Sequence, residues 1–141
     1  MILYIDASAL VKRYVAESGS IEVNAWISKS QMVTTNILSR AEVAAAFNRA
    51  SRMQIIDNEA CQTALEQFRS EWESFVRLQN NEGTVIRADY LTSRHNLRGY
   101  DAIHLASALI WQESIGSRIR LITYDQQLRQ SGLDEGLFLL P

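Results

Sequence analysis

Two apolar runs, one near each end of the chain, stop on an aspartate. The first is Ile2-Leu3-Tyr4-Ile5-Asp6 and the second is Leu121-Ile122-Thr123-Tyr124-Asp125. Both are short enough and apolar enough for buried strands, and each leads into a stretch with helical spacing. Between them, strand-like and helix-like segments alternate. Parallel strands need crossover connections, usually helical, so this alternation predicts an α/β fold with a mostly parallel central sheet and helices on both faces. In such sheets ligands bind outside the carboxyl ends of the strands. If the two runs are parallel neighbours, Asp6 and Asp125 share that edge.

The periodicity predicts strands over 2–5, 32–35, 84–86 and 120–124, with a possible edge strand over 137–140. Helices are expected over 7–17, 20–29, 38–52, 58–78, 88–97, 101–115 and 126–130, with 58–78 the longest. In that long segment Cys61, Leu65, Phe68, Trp72 and Phe75 recur at steps of four and three. Such a stripe is either core or a partner-binding seam. No repeat, linker or low-complexity tract interrupts the 141 residues, a length that suits one domain.

Composition narrows the function classes. Lys and Arg total 14 and Asp and Glu 16, a net charge of −2, which argues against a protein that holds nucleic acid by bulk charge. The one cysteine, Cys61, excludes an internal disulfide framework and a multi-cysteine zinc site. No basic segment precedes the first apolar run and no window approaches a membrane span. The reading is therefore a cytoplasmic protein without a signal peptide or membrane anchor.

The acids are the chemically suggestive residues. Asp6, Asp101 and Asp125 each stand where a helix is expected to begin, and aspartate is a favoured N-cap. Glu42 lies inside an alanine-rich helix on the face shared by Leu38 and Ala46. It can lean on Arg40 or Arg49, or tilt to solvent. Capping explains the aspartates one at a time and does not require the four acids to meet. A metal site does. Carboxylates gathered without a counter-charge repel, and a hard divalent cation such as Mg²⁺ removes that repulsion through oxygen ligands and retained waters. Such an ion can orient a water, lower its pKa and stabilise the leaving oxygen of a phosphodiester.

Four segments resemble the PIN-domain family, in particular ribonucleases of the VapC toxin type. They are Ile5-Asp6-Ala7-Ser8-Ala9-Leu10-Val11-Lys12, Ser39-Arg40-Ala41-Glu42-Val43, the stretch from Leu97-Arg98-Gly99-Tyr100-Asp101 through Ala102-Ile103-His104-Leu105-Ala106-Ser107-Ala108, and Leu121-Ile122-Thr123-Tyr124-Asp125. The resemblance covers nearly the whole chain and no acidic position is missing. It implies a three-layer α/β/α sandwich over a single domain, residues 1–141, and Mg²⁺- or Mn²⁺-dependent endoribonuclease activity. Asp6, Glu42, Asp101 and Asp125 would be the catalytic and metal-holding residues, with Ser8 and Thr123 in support. It further implies a cognate antitoxin and a homodimer. The competing readings are a non-catalytic interaction module that keeps the acidic pocket, and a phosphatase of the haloacid-dehalogenase kind. The latter is disfavoured because Ser8 stands where a second acid or Thr is usual and no late lysine follows.

Twelve of the 14 basic residues are arginine, suited to bidentate phosphate contact. Lys12, Arg13 and Arg98 flank the acidic motifs and are candidates to guide RNA, with ordinary surface ion pairing as the alternative. His104, three residues after Asp101, reads as a hydrogen-bonded structural histidine rather than a general base. His95 reads as a surface residue and Cys61 as a small buried one.

Overall fold

The computed structural model describes residues 1–141. Five parallel strands form one sheet in the order β3-β2-β1-β4-β5: β1 (Ile2–Ile5), β2 (Met32–Asn36), β3 (Val76–Leu78), β4 (Arg120–Ile122) and β5 (Phe138–Leu139). Seven α-helices connect them: α1 (Ala7–Tyr14), α2 (Ser20–Lys29), α3 (Ser39–Arg52), α4 (Asn58–Glu71), α5 (Glu82–His95), α6 (Gly99–Ile115) and α7 (Gln126–Asp134). The first strand is central, and Tyr4 pairs with Thr34 on one side and Leu121 on the other.

The alternation of strand side chains builds two cores. Leu3 and Ile5 enter a cluster with residues of α1 to α4, including Leu10, Val43, Phe47 and Phe68. Tyr4 turns to the opposite face, against Ala102, Leu105 and Ala106 of α6 and Ala88 and Leu91 of α5. The strands are thus buried on both faces, as a parallel sheet requires. The chain is a three-layer α/β/α sandwich. Cys61, Leu65, Phe68, Trp72 and Phe75 all lie in the first core, so the stripe of the long segment is core rather than a partner seam. Its rings meet edge to face, with centroids 5.4 Å apart for Phe68 and Trp72.

Three expectations are corrected. The segment over 58–78 is not one helix. It leaves α4 at Glu71, makes a 3-10 turn over Trp72–Ser74 and becomes β3, so α6, with 17 residues, is the longest helix. The β-branched residues Thr84, Val85 and Ile86 are not a strand. Asn81 caps the helix that contains them, accepting from the Thr84 N–H at 2.9 Å. His95 is not a free surface residue: its Nε2 lies 2.6 Å from Glu135 and its side chain is 8% exposed. No helix is long and apolar enough to cross a membrane.

Candidate active site

β1 and β4 are adjacent and end level with each other, because Ile5 pairs with Ile122. The Asp6 N–H then donates to the Ile122 carbonyl at 3.3 Å, which ties the first residue beyond β1 to the end of β4. Asp6 caps α1 through the Ala9 N–H and Asp125 caps α7 through the Leu128 N–H. Both acids therefore have the structural work that sequence reasoning allows them. Asp101 does not. α6 begins two residues earlier than expected, its N-cap position is Arg98, and Asp101 stands inside the first turn.

Asp6 is buried and well supported. Thr123 Oγ1 donates to its Oδ2 at 2.7 Å, and the Ser8 hydroxyl is 2.7 Å from Oδ1 and 2.9 Å from Oδ2. Each hydroxyl in turn accepts a backbone N–H, from Tyr124 onto Ser8 at 2.9 Å and from Asp125 onto Thr123 at 3.1 Å. Two main-chain donors after β4 thus reach the Asp6 carboxylate through two side-chain hydroxyls. Burial pushes the Asp6 carboxyl up from its ordinary range, against the lowering by His104, Thr123, Ser8 and the Ala9 N–H.

The other acids converge electrostatically on the same place. Burial raises the Asp101 carboxyl, and the negative charges of Asp125 and Asp6 raise it further; Arg98 and His104 only partly offset this. Arg98 reaches no closer than 4.0 Å and its own side chain is 85% exposed. Glu42 comes from the opposite helical layer, in the first turn of α3. It uses neither Arg40 nor Arg49. Its Oε1 lies 2.7 Å from Nε2 of His104, and Nδ1 of His104 lies 2.9 Å from the Tyr4 hydroxyl. Burial pulls His104 down, but the Glu42 hydrogen bond and the charges of Asp6, Glu42 and Asp101 outweigh it, so the imidazole pKa is raised overall.

No three metal-ligating side chains in the chain close into a ready-made cage. The donor set nevertheless fits a hard divalent cation. It offers carboxylate oxygens only, and of the two acids with no capping role, Glu42 and Asp101, the latter is raised first by burial and then by Asp125 and Asp6, with Arg98 and His104 only partly offsetting this. Mg²⁺ needs few protein ligands because it keeps several waters. Two of the three basic candidates are occupied: Arg13 makes a two-pronged contact with Glu71 at 2.6 and 2.8 Å, and Lys12 donates to Glu17 and the Ser18 carbonyl while lying 4.3 Å from the centre of the Tyr124 ring. Arg98 is the most exposed of the three and makes only a long contact with Asp101, at 4.0 Å.

Sequence reasoning missed Tyr4 as a partner of the site and the direction of Glu42. The i, i+3 spacing of Asp101 and His104 was the available signal, since it places the imidazole one turn from an acid.

Fold and site define an α/β/α protein with Asp6 and Asp125 at the carboxyl edge of a parallel sheet and Asp101 within their field. The chain belongs to the PIN domain family, which matches residues 3–132. Among its relatives, Ribonuclease VapC45 of Mycobacterium tuberculosis is 35% identical over 112 residues, covering 77% of this chain and 75% of the relative. Ribonuclease VapC3 of Pyrobaculum aerophilum is 30% identical over 132 residues, covering 92% of this chain and 94% of the relative. Two solved structures share the fold: PAE2754 from Pyrobaculum aerophilum (TM-score 0.66, 23% identity, 98% of this chain and 83% of that one) and a toxin-antitoxin complex from Klebsiella pneumoniae (TM-score 0.63, 16% identity, 87% and 86%).

Proposed function

We propose that the chain is a divalent-cation-dependent endoribonuclease and the toxin of a toxin–antitoxin pair, acting as a single domain over residues 1–141. The observation that carries the reading is Asp101. It is not a helix cap, its one ion-pair partner, Arg98, stands off at 4.0 Å on an exposed side chain, and its carboxyl is pushed up first by burial and then by Asp125 and Asp6. An acid kept at a structural loss in the apo protein makes sense where a cation completes the site. Relatives named ribonucleases support the same substrate class.

Asp6, Glu42, Asp101 and Asp125 would hold Mg²⁺ or Mn²⁺, directly or through water. When bound, the ion supplies a more acidic water and charge neutralisation at the scissile phosphate. The chain's own residues do the rest. Ser8 and Thr123 hold the Asp6 carboxylate in one orientation, and the buried setting excludes bulk water from its inner side. Arg98 is free to meet an RNA phosphate beside Asp101, whereas Lys12 must leave Glu17 to do so and Arg13 stays with Glu71. A cognate antitoxin, a homodimer and a cytoplasmic setting complete the proposal.

Purified protein incubated with a broad RNA pool tests it. Cleavage is expected with Mg²⁺ or Mn²⁺, is abolished by chelation, and is absent from Asp101→Asn. Persistent inactivity with Mn²⁺ bound would instead favour a non-catalytic interaction module.

A further inference from the structure

Glu42, His104 and Tyr4 form one hydrogen-bonded line across three elements. Glu42 stands on α3 in one helical layer, His104 on α6 in the other, and Tyr4 on β1 between them. Tyr4 is fully buried and His104 is 2% exposed, so both must find partners inside the protein. A carboxylate accepts and cannot donate, so Nε2 of His104 carries the proton given to Glu42. In the neutral ring Nδ1 then accepts from the Tyr4 hydroxyl. With both nitrogens engaged, a flipped imidazole would present carbon to both partners and lose both bonds.

The anchors of this line are not arbitrary. Tyr4 lies two residues before Asp6 on the same strand side, and His104 lies three residues after Asp101 on the same helix face. The line therefore attaches Glu42 to the elements that carry Asp6 and Asp101. Glutamate has three side-chain torsions to freeze, and Glu42 sits in a helix turn open to solvent, with its side chain 28% exposed. Without the imidazole nothing else holds its carboxylate, since no other side chain bonds to it.

We propose that His104, braced by the Tyr4 hydroxyl, is a positioning residue that fixes Glu42 among the site acids and so sets the affinity of the site for a divalent cation. The proposal rests on the ribonuclease reading for its consequence in catalysis, but its central measurement does not need RNA. Groups that orient metal-holding side chains typically change metal affinity by about 10- to 100-fold when removed.

The test is a Mn²⁺ titration of the full chain, followed by the paramagnetic resonance of free Mn²⁺, on Tyr4→Phe, His104→Leu and His104→Gln. Each is made alone and in a Glu42→Gln background, with thermal melts to confirm folding. His104→Leu is expected to weaken Mn²⁺ binding about 10- to 100-fold, and Tyr4→Phe by a smaller factor. His104→Gln should recover most of the affinity, because its amide can donate to Glu42 from nearly the same place as Nε2. In the Glu42→Gln background the His104 changes should have no further effect. RNA cleavage should fall in kcat with KM little changed. Wild-type affinity in folded Tyr4→Phe and His104→Leu overturns the proposal, as does an equal loss whether or not Glu42 is intact. A wild-type protein that binds Mn²⁺ but cuts no RNA overturns the ribonuclease reading alone.

Discussion

The hydroxyl of Thr123 donates to the carboxylate of Asp6 at 2.7 Å, joining residues 117 positions apart in the chain. The same oxygen accepts the Asp125 N–H, so one buried side chain links the ends of β1 and β4. Thr123→Val keeps the shape and removes both bonds. It should destabilise by about 1–3 kcal/mol and lower RNA cleavage, whereas Thr123→Ser should retain most of both. Chemical denaturation and a cleavage assay on the two variants check this.

Asp101→Asn separates activity from stability. Burial and the charges of Asp125 and Asp6 raise the Asp101 carboxyl, so its ionised form is disfavoured in the fold. For a carboxyl raised above its unfolded value, that loss is fully present above the folded pKa and is relieved as pH falls through it. Neutralising the residue should raise the melting temperature of the metal-free protein at neutral pH by about 2–4 °C. The same change should abolish cleavage and reduce the stabilisation that Mn²⁺ gives. Melts with and without Mn²⁺ provide both numbers.

The pair of Arg13 and Glu71 makes the opposite prediction for acid. The Arg13 hydrogen bond lowers the Glu71 carboxyl, with help from the Tyr14 hydroxyl and the Arg13 charge, against the upward pull of burial. A lowered carboxyl contributes stability that is present above its unfolded value, about pH 4.3, and is lost as pH falls through the folded one. Glu71→Gln should therefore melt about 2–4 °C below wild type at pH 7, a small effect because the pair is partly solvated. The difference should close on acidification below about pH 4. Melting temperature against pH reads it directly.

Gly19, just before α2, lets the Tyr124 ring pack close against the backbone. Its φ is +91°, in the left-handed region, and an added Cβ would overlap the Tyr124 hydroxyl, which donates to the Gly19 carbonyl at 3.3 Å. Gly19→Ala should destabilise by about 1–3 kcal/mol and displace the ring next to Asp125. Tyr124→Ala removes the overlap, so the double variant should recover part of the loss in a denaturation series.

The strands that carry chemistry were legible because their apolar runs end on acids. β1 and β4 and the helices after them lie where periodicity places them, apart from their ends. The third strand was not legible. Phe75 continues the buried stripe of α4 even though the backbone has passed through a 3-10 turn, so the apolar period hides the end of the helix. Thr84, Val85 and Ile86 have strand propensity, yet the Asn81 cap and the packing of Ala88 and Leu91, further along the same helix, in the core with α6 keep them helical. In the site, cap chemistry for Asp6 and Asp125 could be read from position. The exclusion of Asp101 from that role depended on where α6 begins, and the partner of Glu42 depended on which layers face each other across the sheet edge. Neither is a local property of the chain.

The central place of β1 has a consequence in time. Asp6 leaves the ribosome early, but the strand beside it and the hydroxyl that orients its carboxylate are made only when synthesis reaches β4. Contacts so distant in sequence cannot form before the later partner exists. The carboxyl edge of the sheet, and with it the orientation of the Asp6 carboxylate, is therefore completed only after both ends of a long stretch of chain have been made.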